Sequence, residues 1–262
     1  MKLFVPIFVK LYNRKNEGMI TYGMLEPGMN KKKLFILLLL GFLCISAIYI
    51  LNTVLFPVKE KAVSSCKSDL DIDGLEEELY LTAKKGSIYG KDLVIRANGK
   101  EIGRYNLEAL NPWKVMVMDV DGDGIKEISV GVYKTAKFHP VMAKRPFIYN
   151  WNGEGGLSPK WLGSRLSRPF DDYIFLDIDE DGMEELVSIE LLSNGRMVLN
   201  SYKWKGFGFE GMGESRDYQE ITALQKKASS EKGISMVSAD VKEDEDWKHA
   251  VFSYQDGKIV KQ

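Results

Sequence analysis

From residue 62 to the C-terminus, short hydrophobic runs alternate with polar turns. Trp113–Met118 (WKVMVM), Glu127–Tyr133 (EISVGVY), Pro146–Trp151 (PFIYNW) and Leu157–Leu166 (LSPKWLGSRL) follow one another, and the order returns as Asp172–Leu176 (DYIFL), Glu185–Leu191 (ELVSIEL) and Arg196–Trp204 (RMVLNSYKW). These runs are β-branched, aromatic and partly alternating, with Asn-Gly-type turns between them, and so predict strands. Only residues 221–229 hint at a 3.6 period, a weak helical candidate. A different pattern precedes them. Leu34–Val58 is 25 residues without a charge or a polar face.

The strand pattern repeats. Turn glycines fall at Gly99, Gly153, Gly206 and Gly257, in steps of 54, 53 and 51. Tyr149, Tyr202 and Tyr254 stand just ahead of the last three. About four copies of a unit of roughly 53 residues therefore fill residues 62–262, each a small antiparallel sheet. Sheets repeated at this period predict an all-β, propeller-like array.

Inside the repeat, one acidic pattern occurs three times: Asp-x-Asp-x-Asp-Gly-x-x-Glu. The copies are Asp69, Asp71, Asp73, Gly74 and Glu77; Asp119, Asp121, Asp123, Gly124 and Glu127; and Asp177, Asp179, Asp181, Gly182 and Glu185. Alternate carboxylates, a turn glycine and a later Glu are what a loop needs to wrap a hard cation in oxygen. Glu76, Glu77 and Glu78 leave the register of the first copy open. An EF-hand shares the opening but needs a bidentate Glu at position 12 and flanking helices. Position 12 here is Tyr80, Val130 or Ser188, and strands follow. Asp240–Glu245 reads as a worn fourth copy, with Lys242 at a ligand position, and no metal is expected there. The plain alternative is a set of acidic surface turns without an ion.

The three loops, each between two short hydrophobic strands, resemble the calcium loops of FG-GAP and VCBS repeats, the blades of integrin-α-like propellers. The resemblance covers about 195 residues and is specific at the loops. The Phe-Gly and Gly-Ala-Pro motifs that name the family are not evident, and four units are fewer than the seven usual there. It implies a Ca²⁺ cofactor. It also implies that each loop joins the first two strands of a blade, and that side-chain oxygens of the named Asp and Glu residues are joined by the carbonyls of Leu75, Ile125 and Met183.

Charge changes the picture at the other end of the chain. Residues 1–33 carry seven basic and two acidic side chains, a net of +5. With the whole chain at −1 and residues 34–58 uncharged, the remainder carries −6. An acidic body argues against nucleic acid as a partner. Lys31–Lys33 ahead of the apolar run put that side in the cytoplasm by the positive-inside rule. The expected organisation is a short cytoplasmic tail (1–33), a single-pass membrane helix (34–58) and an extracytoplasmic repeat domain (62–262). Cleavage near Ala62-Val63-Ser64 and a buried globular helix are the alternatives. Met29, just before Asn30 and the lysines, looks like a natural start. Cys44 and Cys66 lie on different sides of this boundary and are not expected to pair.

Candidate chemistry beyond the loops is sparse. The chain has two histidines, His139 and His249. It shows no Gly-rich phosphate loop, nucleophile elbow or HExxH. The five tryptophans are expected to pack between sheets, a sugar-stacking surface being the alternative. In Trp161–Asp172, Arg165 and Arg168 with Asp171 and Asp172 read as a brace for the next loop or as a ligand surface. The leading expectation is a non-enzymatic, anchored module binding a protein or cell-surface polysaccharide, with structural calcium. The alternatives are a carboxylate-dependent hydrolase and a purely structural envelope component or sensor.

Overall fold

The computed structural model describes residues 31–55, 61–153, 156–163, 165–228 and 235–262. The chain divides into two units, Met1–Lys59 and Glu60–Gln262. In the first, Lys31–Leu55 is one α-helix, α1. Its described side chains cover only part of Lys32–Ala47. Among the described residues no helix is long and apolar enough to cross a membrane. The expected tail, Met29 and the last residues of the apolar run lie outside the described residues.

The second unit is all β. Its strands fall, in chain order, into four open antiparallel four-stranded meanders. Sheet one holds β1 (Lys61–Ser68), β2 (Glu77–Ala83), β3 (Asp92–Ala97) and β4 (Lys100–Asn106). Sheet two holds β5 (Pro112–Met118), β6 (Glu127–Ala136), β7 (His139–Trp151) and β8 (Leu157–Leu162). Sheet three holds β9 (Phe170–Leu176), β10 (Glu185–Leu191), β11 (Met197–Trp204) and β12 (Phe209–Glu214). Sheet four holds β13 (Glu220–Ala228), β14 (Ser235–Glu243), β15 (Asp246–Gln255) and β16 (Lys258–Lys261). The four turn glycines all have positive φ, between 70° and 80°, in the hairpins that join third to fourth strands. Only glycine takes this conformation without a Cβ penalty, which is why it marks the period.

Three apolar clusters hold the sheets to their neighbours in sequence. Leu79, Leu81, Leu93 and Ile95 of sheet one meet Ile128, Val130 and Val132 of β6. Met118 and Ile148 of sheet two meet Tyr173, Phe175 and Leu186. Val187, Ile189 and Leu199 of sheet three meet Ile221, Val237 and Phe252. Strands β6 and β10 are therefore buried on both faces, and their patterns read as near-continuous burial. On β6 the face toward sheet three is small: Ser129 bonds the Tyr173 hydroxyl at 2.9 Å, and a Cβ on Gly131 would come within 2.9 Å of the Trp113 ring. Trp151 and Trp204 are in these cores, Trp113 and Trp161 pack against one of them, and Trp247 is half exposed.

Three expectations are corrected. Residues 221–228 are not helical but lie in β13, paired with β14. A bulge at Ala223 (φ 54°) sets Ile221 and Leu224 on one buried side, which imitates a helical spacing. Asp240–Glu245 is not a fourth copy of the acidic loop. It is the end of β14 and the two-residue turn into β15, with Asp244 and Glu245 both at positive φ. The matching connection, from β13 to β14, lies at 229–234, outside the described residues. Finally, the polar segment before β9 braces the sheets differently from the Arg–Asp pairing expected. Arg168 pairs with Glu190 and Glu214, while Asp171 and Asp172 take Lys144 and Lys114.

Candidate metal loops

Each acidic copy joins the first two strands of its sheet: β1 to β2, β5 to β6, and β9 to β10. Their backbones are folded by the same three hydrogen bonds. The position-six glycine N–H donates to the first Asp, at 3.0 Å from Gly74 to Asp69, 2.9 Å from Gly124 to Asp119 and 3.0 Å from Gly182 to Asp177. The N–H of Leu75, Ile125 and Met183 donates to the position-five carboxylate, at 2.7, 2.8 and 3.1 Å. The N–H of Leu70, Val120 and Ile178 donates to Oε2 of the last Glu, at 2.9, 3.2 and 3.0 Å. That Glu opens the second strand and is buried in all three copies. Register in the first copy is thereby settled on Glu77, since Glu76 is exposed and Glu78 faces Lys67 in an exposed pair.

The three loops sit at one end of the sheet unit. Lys126, at the end of loop two, bonds Ser68 at the start of loop one at 2.9 Å. Loops two and three touch through Glu184 N–H to the Asp119 carbonyl (2.8 Å) and Asp119 N–H to the Glu184 carboxylate (3.0 Å).

Three carboxylates converge in each loop. One oxygen each from Asp69, Asp71 and Glu77 lies within 4.8 Å of the others, and the same holds for Asp119, Asp121 and Glu127 and for Asp177, Asp179 and Glu185. Asp73, Asp123 and Asp181 stand outside these groups and serve the backbone bond above. Leu75 and Ile125 are exposed, so only their carbonyls could serve as ligands. Burial raises the carboxyl pKa of Glu77 and Glu127 and pushes Glu185 up to about 7. Four buried oxygens of these loops have no hydrogen-bond partner: Asp69 Oδ1, Asp121 Oδ1, Asp179 Oδ1 and Glu185 Oε1. Converging carboxylates with orphaned buried oxygens fit a hard cation such as Ca²⁺.

Two lysines that the sequence did not flag also enter these sites. Lys160, from β8, bonds Asp121 Oδ2 at 2.5 Å and also Glu127 Oε1. Lys203, from β11, lies 2.8 Å from Asp179 Oδ2, 2.5 Å from Asp181 Oδ2 and 3.0 Å from Glu185 Oε1. Burial works against each ammonium, but the carboxylates outweigh it and both pKa values are raised. Lys203 had one legible signal, since Tyr202-Lys203-Trp204 matches Tyr149-Asn150-Trp151 with a charge added. Lys160 had none, because it comes from a strand that pairs with neither strand of its loop.

Elsewhere, the buried Glu190 is fully engaged. It accepts from Tyr202, Ser188, Asn200 and Arg168, which makes it a brace within sheet three. A groove of about 720 Å³ runs between β12 and β16, with Glu214, Arg216, Lys258 and Lys261 among its lining. Both cysteines are free, and burial pushes the Cys66 thiol up to about 12.

No family model matches the chain, and no curated protein matches it. Among solved structures it is similar to a rhamnogalacturonan lyase PL11 of Bacillus licheniformis, at 16% identity over 76% of this chain and 50% of that one, with TM-score 0.44. It is also similar to the exotype rhamnogalacturonan lyase YesX, at 14% identity over 76% and 48%, with TM-score 0.46. A Xanthomonas type IV secretion system related protein matches at 13% identity over 76% and 92%, with TM-score 0.32. The chain spans about half the length of the two lyases. Likeness of this degree carries no inference about activity or ligand.

Proposed function

We propose that the chain is a membrane-anchored, extracytoplasmic module of the FG-GAP/VCBS kind. Its four sheets form a propeller-like array, calcium braces the acidic loops, and the body binds a protein or polysaccharide at the cell surface. The observation that carries the calcium reading is the common build of the three loops: identical backbone bonds, a buried Glu, converging carboxylates and an orphaned oxygen. Crowded carboxylates repel one another until a cation joins them, so a divalent ion would favour the folded loop. Asp69, Asp71 and Glu77, with Asp73 and the Leu75 carbonyl, would hold it in loop one. Their counterparts in loops two and three offer the same set of carboxylates.

The anchor reading rests on the sequence. Leu34–Val58 runs 25 residues without a charge behind Lys31–Lys33, against the roughly 20 apolar residues a bilayer-spanning helix needs. Strand β1 begins six residues after Leu55. For the ligand, we assign the groove between β12 and β16, whose charged lining of both signs suits a polar chain.

Two experiments test this reading. Thermal melts of the full chain in detergent, with calcium and with chelator, should differ by several degrees. Mass action gives roughly 3 kcal/mol for one site at ligand a hundred times above its dissociation constant. Coincident melts would remove calcium from the account. A cell-wall glycan array should then show binding that Arg216→Ala weakens, and an array equally bright for both proteins would remove the groove.

A further inference from the structure

The three loops share a backbone but not a charge balance. Each has three Asp and one Glu at the patterned positions, to which loop one adds Glu76, loop two Lys126, and loop three Glu180 and Glu184. In loops two and three a lysine ammonium lies among those carboxylates, with only 15% and 11% of its side chain exposed. Among the described residues no ion pair reaches Asp69, Asp71, Asp73 or Glu77. Lys126 comes close but bonds the Ser68 hydroxyl. Arg96 pairs with Glu78 as Tyr202 pairs with Leu186, so the place of Lys203 falls to Ala97, which carries no charge.

The first Asp of each loop tells the same story. Asp119 uses both oxygens on backbone N–H groups, of Gly122 and Gly124. Asp177 does likewise with Asp181 and Gly182. Asp69 uses only Oδ2, and its Oδ1 is buried without a partner. In loop two both oxygens of the last Glu are also taken, one by backbone and one by lysine. In loop three Glu185 Oε2 accepts from backbone, and Oε1 lies 3.0 Å from the Lys203 ammonium as an ion pair. Loop two keeps one orphaned oxygen, Asp121 Oδ1, and loop three keeps two without a hydrogen bond, Asp179 Oδ1 and Glu185 Oε1.

We propose that Lys160 and Lys203 are tethered cations that replace the divalent ion in loops two and three, leaving loop one as the principal calcium site. The inference rests on the calcium reading above. Ca²⁺ needs oxygens at about 2.3–2.6 Å. The ammonium groups already hold Asp121 Oδ2, Glu127 Oε1, Asp179 Oδ2, Asp181 Oδ2 and Glu185 Oε1, so ion and lysine exclude each other. Expelling the lysine would mean moving a largely buried side chain into water. The two lysines come from different strand positions, the fourth strand of sheet two and the third of sheet three. Simple copying of a repeat would have placed them alike. Their shared destination points to the cation itself as the thing retained.

The test is calcium stoichiometry by calorimetric titration of the chelated full chain in detergent. The wild type should bind one calcium tightly, Lys203→Met two, and Lys160→Met/Lys203→Met three. Asp69→Asn should abolish the wild-type site. Lys203→Gln, which keeps a polar end, guards against misfolding and should also bind two. Three equal sites in the wild type would overturn the inference while leaving the calcium reading intact. Unchanged stoichiometry in folded lysine variants would overturn it too. No binding by any variant would end both.

Discussion

At residue scale, the loops carry strain as well as charge. Position four is left-handed in every copy: Ile72 at φ 63°, Gly122 at 71° and Glu180 at 64°. A β-branched residue is the worst occupant of that region, and Ile72 is 64% exposed, so it gains no burial in return. Ile72→Gly should stabilise the protein by about 1 kcal/mol, read as a rise in the denaturation midpoint at constant slope. Glu185 makes a second prediction. Burial raises its pKa to about 7, so the native state holds a proton that the unfolded chain releases near the ordinary value of 4.5. Stability from this group is full below that ordinary value and falls as pH rises through about 7. Chelated protein should therefore melt at lower temperature at pH 8 than at pH 6, and Glu185→Gln should flatten the difference. The ligand-bearing Asp and Glu residues were legible because their spacing is local: a loop of nine residues shows all of its carboxylates in one line. Lys160 was not, because it reaches its loop across strand pairings that no local spacing records, and Lys203 showed only as the charge added in Tyr202-Lys203-Trp204.

Elements are held by contacts of similar economy. The β6–β7 hairpin is the longest, and its tip carries exposed Phe138, Val141 and Met142. Arg145 holds that tip from beneath. Its fully buried guanidinium donates to the carbonyls of Lys134, His139 and Val141, at 2.8, 3.1 and 2.8 Å. Arg145→Leu leaves those carbonyls without their donor and should cost about 2 kcal/mol. Faster tryptic cleavage at Lys137, with β-sheet content retained, would be the local signature. Sheets three and four meet still more closely. A Cβ on Gly213 would lie 2.0 Å from the Gly257 carbonyl oxygen. Gly213→Ala must part β12 from the β15–β16 turn, at about 1–3 kcal/mol for overpacking, and an unchanged melting temperature would contradict it. The strands themselves were readable from alternation and turn glycines. Strand β13 was not, because its bulge shifts the alternation by one residue, and neither was the β14–β15 turn, whose acids imitate a loop.

Over the whole sheet unit, order in the chain becomes order in space. Each apolar cluster joins a sheet to its sequence neighbour, and all three acidic loops gather at one end. In such a stack stability is close to a sum of unit terms and nearest-neighbour interfaces. A cation removed from one loop should then loosen that sheet first and the interface beside it second. On the proposal above, lysine-filled loops would keep their cation under a chelator, whereas loop one would lose it. Chelation should accordingly speed amide hydrogen exchange in β1 and β2, more weakly in β5 and β6, and scarcely in β9 and β10. In Lys203→Met the protection of β9 and β10 should become calcium-dependent as well. Equal acceleration in all three loop-bearing sheets of the wild type would mean that the ammonium groups do not stand in for the ion. Under the proposal, the balance of charge in each loop, rather than its shared sequence pattern, would set where along the stack calcium matters.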